Sequence, residues 1–84
     1  MSQARQVECL QTMLEVLQRA LPYVLPDESL RLSMKAGIRP PCQDAEYDQT
    51  LSALKAAGFI AVSPLKFNVQ GWVITEAGQG ELRR

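Results

Sequence analysis

The sequence contains no histidine among its 84 residues. It therefore lacks the commonest general base of enzymes and the commonest metal ligand of proteins. It also has no glycine-rich phosphate loop and no set of residues at metal-ligand spacing. Without a base, no serine or threonine is placed to act as a nucleophile. We expect a protein that is not an enzyme, with no catalytic residue, no metal site and no cofactor.

The chain also has only two cysteines, no net charge and no long apolar run. The two cysteines, Cys9 and Cys42, occur in a chain without a signal peptide, so we expect free thiols in a cytoplasmic protein. No apolar run approaches the roughly 18 residues of a membrane span, and we expect no membrane contact. Nine basic residues balance nine acidic ones, which argues against a strongly basic nucleic-acid arm.

The apolar residues that are present recur at helical spacing and predict three helices in one domain over residues 1–84. The first helix is predicted over Gln3–Leu21, because Pro22 cannot continue it. The second is predicted over Asp27–Ala36. The third is predicted over Asp44–Ala57, with Asp44 as its N-terminal cap and with Tyr47, Leu51 and Leu54 facing inward.

The C-terminal third of the chain has the pattern of a β-hairpin. Phe59–Ser63 and Trp72–Thr75 are rich in apolar and β-branched residues and predict two strands. Tyr23–Leu25 is a candidate for a third, short strand. Two glycines in the tail argue against a long helix over Glu76–Arg84. The sequence thus predicts an α+β fold: three helices and a wing of two or three strands.

Two motifs make the chain similar to a winged helix-turn-helix domain of the MarR or PadR type. The segment from Leu51 through Gly58 to Ile60 resembles the exit of a recognition helix into the first wing strand. The segment Trp72–Gly78, with its T-x-x-G, resembles the exit from the second wing strand. The resemblance covers nearly the whole chain. It implies a transcriptional regulator that places its third helix in the major groove of double-stranded DNA.

Three side chains are candidates for DNA contact. Gln49 is the long polar side chain on the outward face of the third helix, and glutamine pairs well with adenine. Arg39 in the turn and Lys66 in the wing would hold phosphates. Against this interpretation, three carboxylates at the start of the third helix would be repelled by a phosphate wall, namely Asp44, Glu46 and Asp48.

A protein-interaction adaptor that does not bind DNA is the alternative. The outward face of the third helix carries small, uncharged residues that allow close approach of a partner, namely Ala45, Ser52, Ala53 and Ala56. A positive rim around this helix would favour DNA. An acidic rim with an apolar centre would favour a protein partner.

The first helix carries a second apolar stripe beside its main one. The main stripe is Val7, Leu10, Leu14, Leu17 and Leu21, and the second is Cys9, Met13, Val16 and Ala20. We expect the second and third helices to cover the main stripe, whereas the glycine-bearing tail is too short to cover the second. The sequence therefore predicts a homodimer in which Cys9, Met13, Val16 and Ala20 form the interface. The alternative is that the first helix lies deep in its own domain, with both stripes buried there.

Overall fold

The computed structural model describes residues 2–84 as four helices and a small antiparallel sheet. The elements follow one another as α1 (Gln3–Ala20), β1 (Leu25–Pro26), α2 (Asp27–Gly37), α3 (Asp44–Ala56), β2 (Ile60–Pro64), a 3₁₀ turn (Lys66–Asn68), β3 (Gln70–Ile74) and α4 (Glu76–Leu82). Among residues 2–84, no helix combines the length and the hydropathy that crossing a membrane requires.

The sheet has the order β1-β3-β2, with β3 in the centre. Trp72 of β3 lies opposite Val62 of β2 and Leu25 of β1. The β2–β3 pair forms the wing, and β1 adds the third strand, at Leu25–Pro26 rather than at Tyr23–Leu25. Directly opposed residues lie on the same face of a sheet, so Trp72, Val62 and Leu25 share one face. Trp72 is 6% exposed, and this face packs against the helices around it.

The core face of α1 lies between the two apolar stripes. Cys9 and Met13 of the second stripe are fully buried, whereas Val7 of the main stripe is 52% exposed. The prediction that Cys9 and Met13 form a dimer interface is therefore wrong for this fold, because the chain's own core already covers both side chains. Val16 and Ala20 are partly buried and line an open groove between α1 and α2.

The tail forms a short helix that reaches α1. Thr75 caps α4 by accepting a hydrogen bond from Gly78 N at 3.1 Å, which compensates for the two glycines in the helix. Leu82 of α4 packs against the core and shares an apolar groove with Val7 and Leu10 of α1. The sequence does not predict this contact: α4 packs against α1 at its main stripe, whereas the second stripe is the one that the tail is expected to leave uncovered.

The two motif segments of the sequence meet in space. The hydroxyl of Thr75 donates to the carbonyl of Gly58 at 2.7 Å, and Thr75 N donates to the carbonyl of Phe59 at 3.0 Å. Gly58 has φ of 79°, a conformation that glycine adopts without penalty. The end of α3 and the end of β3 are thus joined directly. This helix-turn-helix with a C-terminal wing is the α+β winged-helix arrangement that the sequence predicts.

Candidate nucleic-acid interface

Asp27, the first residue of α2, joins three elements of the fold. Its Oδ1 accepts a hydrogen bond from Tyr47 Oη of α3 at 2.7 Å and one from Trp72 Nε1 of β3 at 3.1 Å. Both donors belong to buried side chains, which need such partners to avoid a desolvation penalty. The hydrogen bonds fix the orientation of α3 relative to α2 and the wing.

Arg31, one turn further along α2, lies against the start of α3. Its guanidinium stacks over the Tyr47 ring at 4.3 Å from the centroid and pairs with Asp44 at 3.0 Å. Asp48 lies at 4.0 Å from the same group. Because Arg31 is close to these carboxylates, it offsets part of the negative charge at the start of α3.

Glu46 is held by Arg5 of α1 in a two-point ion pair. Arg5 Nε donates to Oε2 at 2.8 Å, and Nη2 donates to Oε1 at 3.0 Å. Glu46 also accepts from Gln43 N in a capping box, so the N-cap of α3 is Gln43 and not Asp44. The hydrogen bonds from Arg5 and Gln43 lower the pKa of Glu46 to about 2. Glu46 is thus ionised and paired at neutral pH.

The three predicted DNA-contact residues are exposed and lie on consecutive parts of the fold. Arg39 is in the segment between α2 and α3, Gln49 is on α3, and Lys66 begins the 3₁₀ turn at the end of the wing. Gln49 lines a shallow cleft with Gln6, Asp48 and Ser52. None of the three takes part in a salt bridge within residues 2–84.

The outward face of α3 carries several small, uncharged residues. Its small residues are all exposed, as the sequence predicts: Ala45, Ser52, Ala53 and Ala56. The inward face is Tyr47, Thr50 and Leu54, with Leu51 only partly buried. Thr50 is accommodated because its hydroxyl donates to the carbonyl of Glu46 at 2.7 Å. Between α3 and the wing, a shallow groove of about 270 Å³ exposes an edge of Leu51 and Trp72.

The two cysteines lie together in the core behind α3. Cys42 is 2% exposed, Cys9 is fully buried, and both are free thiols whose side chains are neighbours. Burial raises the pKa of Cys42 to about 11. A buried, protonated thiol is unreactive. In the described residues, no three cysteine or acidic side chains converge as metal ligands would.

Two arginines of this region were not among the sequence candidates. Arg5 is 41 residues from Glu46, and Arg31 is 13 residues from Asp44. No periodicity or motif links residues at these separations, so sequence patterns gave no signal for either pair. Phe67 at the end of the wing was missed as well, although a phenylalanine between Lys66 and Asn68 in a hairpin loop is a visible signal.

The comparisons with known proteins support the fold. It is similar to the crystal structure of a "putative transcriptional regulator" from Thermoplasma acidophilum, with a TM-score of 0.72 and 21% sequence identity. The match covers 98% of this chain and 78% of that chain. No protein-family model matches the chain, and no curated protein is significantly similar to it. At 21% identity, the similarity shows the fold that the two proteins share.

Proposed function

We propose that this protein is a non-enzymatic transcriptional regulator that contacts double-stranded DNA through α3, the turn before it and the wing. The observation that carries the proposal is the pairing of acidic side chains at the start of α3 with arginines of α1 and α2. The exposed face of α3 presents Gln49, while the carboxylates of Asp44 and Glu46 at the start of this helix are paired with arginines. The electrostatic objection to DNA contact is thereby reduced. The regulator-like fold neighbour supports the same proposal.

In the proposed complex, each of the three residues has its own role. Gln49 reads a base edge in the major groove, where an amide pairs well with adenine. Arg39 and Lys66 hold phosphates on either side of α3 and set the position of the helix without reading sequence. Because the chain has no net charge and only two side chains are proposed to hold phosphates, we expect modest affinity, with a slope of log K against log salt of about −2 per chain.

The salt dependence of binding to mixed-sequence duplex DNA tests this proposal. The variants Arg39→Ala and Lys66→Ala should each weaken binding to all sequences alike and reduce the slope of log K against log salt by about one. Gln49→Ala should leave the slope unchanged and relax the base preference. Arg19→Ala is the matched control, since it removes an arginine from the end of α1, outside the proposed interface.

A protein-interaction adaptor is the second candidate, favoured by the exposed small residues of α3 and the groove beside Leu51. Small side chains allow a partner helix or strand to approach closely. If the wild type binds no mixed duplex DNA at low salt, the DNA proposal is wrong and the adaptor is favoured. A selective loss of DNA binding in Arg39→Ala and Lys66→Ala, but not in Arg19→Ala, supports the DNA interface.

A further inference from the structure

The end of the wing, which we call the wing tip (Lys66–Asn68), exposes the most solvent-accessible large apolar side chain in the described part of the chain. Phe67 is 94% exposed. A phenylalanine in this position gains nothing from the protein's own core. Its neighbours on either side are polar, so the ring protrudes alone.

The backbone holds Phe67 in a conformation that favours glycine. Phe67 has φ of 62° and ψ of 34°, and Asn68 has φ of 60°. Asparagine tolerates this left-handed region, whereas a bulky side chain in it is an outlier that costs free energy. Such outliers concentrate at binding sites, where the surrounding structure maintains them.

The surrounding wing maintains this conformation. Leu65 N donates to the carbonyl of Val69 at 2.8 Å, and Val69 N donates to the carbonyl of Lys66 at 3.4 Å, so the loop is closed at its base. The Leu65 side chain folds back over Gly71, where a Cβ atom would be within 3.1 Å of it. Leu65 therefore fixes the base of the loop, while Phe67 points into solvent.

The chemistry around the ring fits nucleic acid. From Val62 to Val73 the sequence has a single charged residue, Lys66, and no acidic residue. Lysine neutralises phosphates, asparagine is among the residues that read the minor groove, and phenylalanine is among the apolar side chains that insert between base steps there. A stable protein partner needs roughly 800 Å² on each side, which one protruding ring does not supply.

We propose that the wing tip enters the minor groove and that Phe67 inserts between two base pairs, partly unstacks them and bends the DNA. The inference rests on the proposed function, since Lys66 must lie at a phosphate for the next residue to reach the groove. The groove is about 6 Å wide and 7.5 Å deep. It admits a single flat ring at the tip of a hairpin loop, while the strands of the wing stay outside the groove.

The insertion of Phe67, which we call the wedge, is tested by measuring whether the bound DNA is bent and unstacked. A duplex of about 30 base pairs with flexible TA steps carries fluorophores at both ends, and a second duplex carries 2-aminopurine at the TA steps. Saturating wild-type protein should shorten the end-to-end distance and raise the 2-aminopurine fluorescence. Phe67→Gly should abolish both changes and weaken binding about tenfold, with an unchanged salt slope because no phosphate contact is lost.

Two further readouts separate the wedge from a folding effect. Glycine relieves the positive φ, so Phe67→Gly should raise the Tm by about 4–8 °C while losing the bend. Phe67→Leu keeps an apolar wedge and should retain most of the bend. A Phe67→Gly variant that bends DNA like the wild type overturns the wedge and leaves the proposed function intact. A wild type that binds neither duplex overturns both.

Discussion

Asp27 stabilises the fold by accepting hydrogen bonds from two other elements, α3 and β3. Two buried aromatic side chains, Tyr47 and Trp72, donate to the same carboxylate oxygen. If that acceptor is removed, Trp72 Nε1 loses its partner, whereas Tyr47 Oη keeps a second acceptor, the backbone carbonyl of Asp27 at 3.2 Å. An unsatisfied buried donor costs about 1–3 kcal/mol. Part of this loss is recovered because the Asp27 side chain is 34% exposed and water can reach it.

We therefore expect Asp27→Ala to lower the free energy of unfolding by about 1–3 kcal/mol. Urea unfolding followed by the fluorescence of Trp72, the only tryptophan, measures it. Asp27→Asn keeps an acceptor oxygen and is the control, with a smaller loss. Tyr47→Phe should cost less in the Asp27→Ala background than in the wild type, because the hydroxyl has lost its carboxylate acceptor and keeps only the backbone carbonyl of Asp27. Equal stability of Asp27→Ala and the wild type would contradict this account.

The helix α4 depends on a close approach at Gly78. A Cβ atom at this position would collide with the backbone carbonyl of Phe59 and lie 2.7 Å from Ile74 Cγ1. Backbone atoms cannot rotate away as a flexible side chain does. Gly80, two residues further along the same helix, has no atom within 4 Å of its Cβ position. The two glycines thus differ in packing and share the same low helix propensity.

This difference predicts opposite effects for the same substitution. Gly78→Ala should destabilise the protein by about 1–3 kcal/mol through overpacking. Gly80→Ala should stabilise it by about 0.5–1 kcal/mol, since alanine favours the helix. Thermal unfolding followed by circular dichroism compares the two variants. If both substitutions shift the Tm in the same direction, the close contact between α4 and the α3–β2 turn is not as described.

For the whole molecule, homodimerisation through α1 stays a prediction and now rests on Val16 and Ala20 alone. Sedimentation at micromolar concentration should give about twice the chain mass of 9.3 kDa, because Val16 and Ala20 of one copy can pack against the same residues of a second across a two-fold axis. Val16→Glu should shift the mass toward the monomer. The control is Val7→Glu, an exposed position outside the groove, which should leave the mass unchanged.

A monomeric wild type at high micromolar concentration would argue against the dimer. So would a Val16→Glu variant that is unfolded rather than dissociated, because Val16 also packs partly against the core. Either result would mean that the apolar residues of α1 stabilise the fold of their own chain and form no dimer interface.

The sequence by itself determined three of the four helices and the wing strands, because helix periodicity, caps and turn residues act over a few positions. The three predicted helices begin at Gln3, Asp27 and Asp44, as expected, and each end of the two wing strands differs from prediction by one or two residues. The fourth helix, α4, was not predicted. The motif residues Gly58, Thr75 and Gly78 also have a local reason: a left-handed helix end, a cap and a close approach.

Only the tertiary structure decided which side of α1 faces the core, since both apolar stripes satisfy the same periodicity and the choice depends on what packs against them. It also paired Arg5 with Glu46 and Arg31 with Asp44, and so partly offset the negative charge at the start of α3. Ion pairs between distant residues depend on the relative placement of helices, which no local pattern encodes. The exposed ring of Phe67 likewise follows from how the wing closes on Leu65 and Val69.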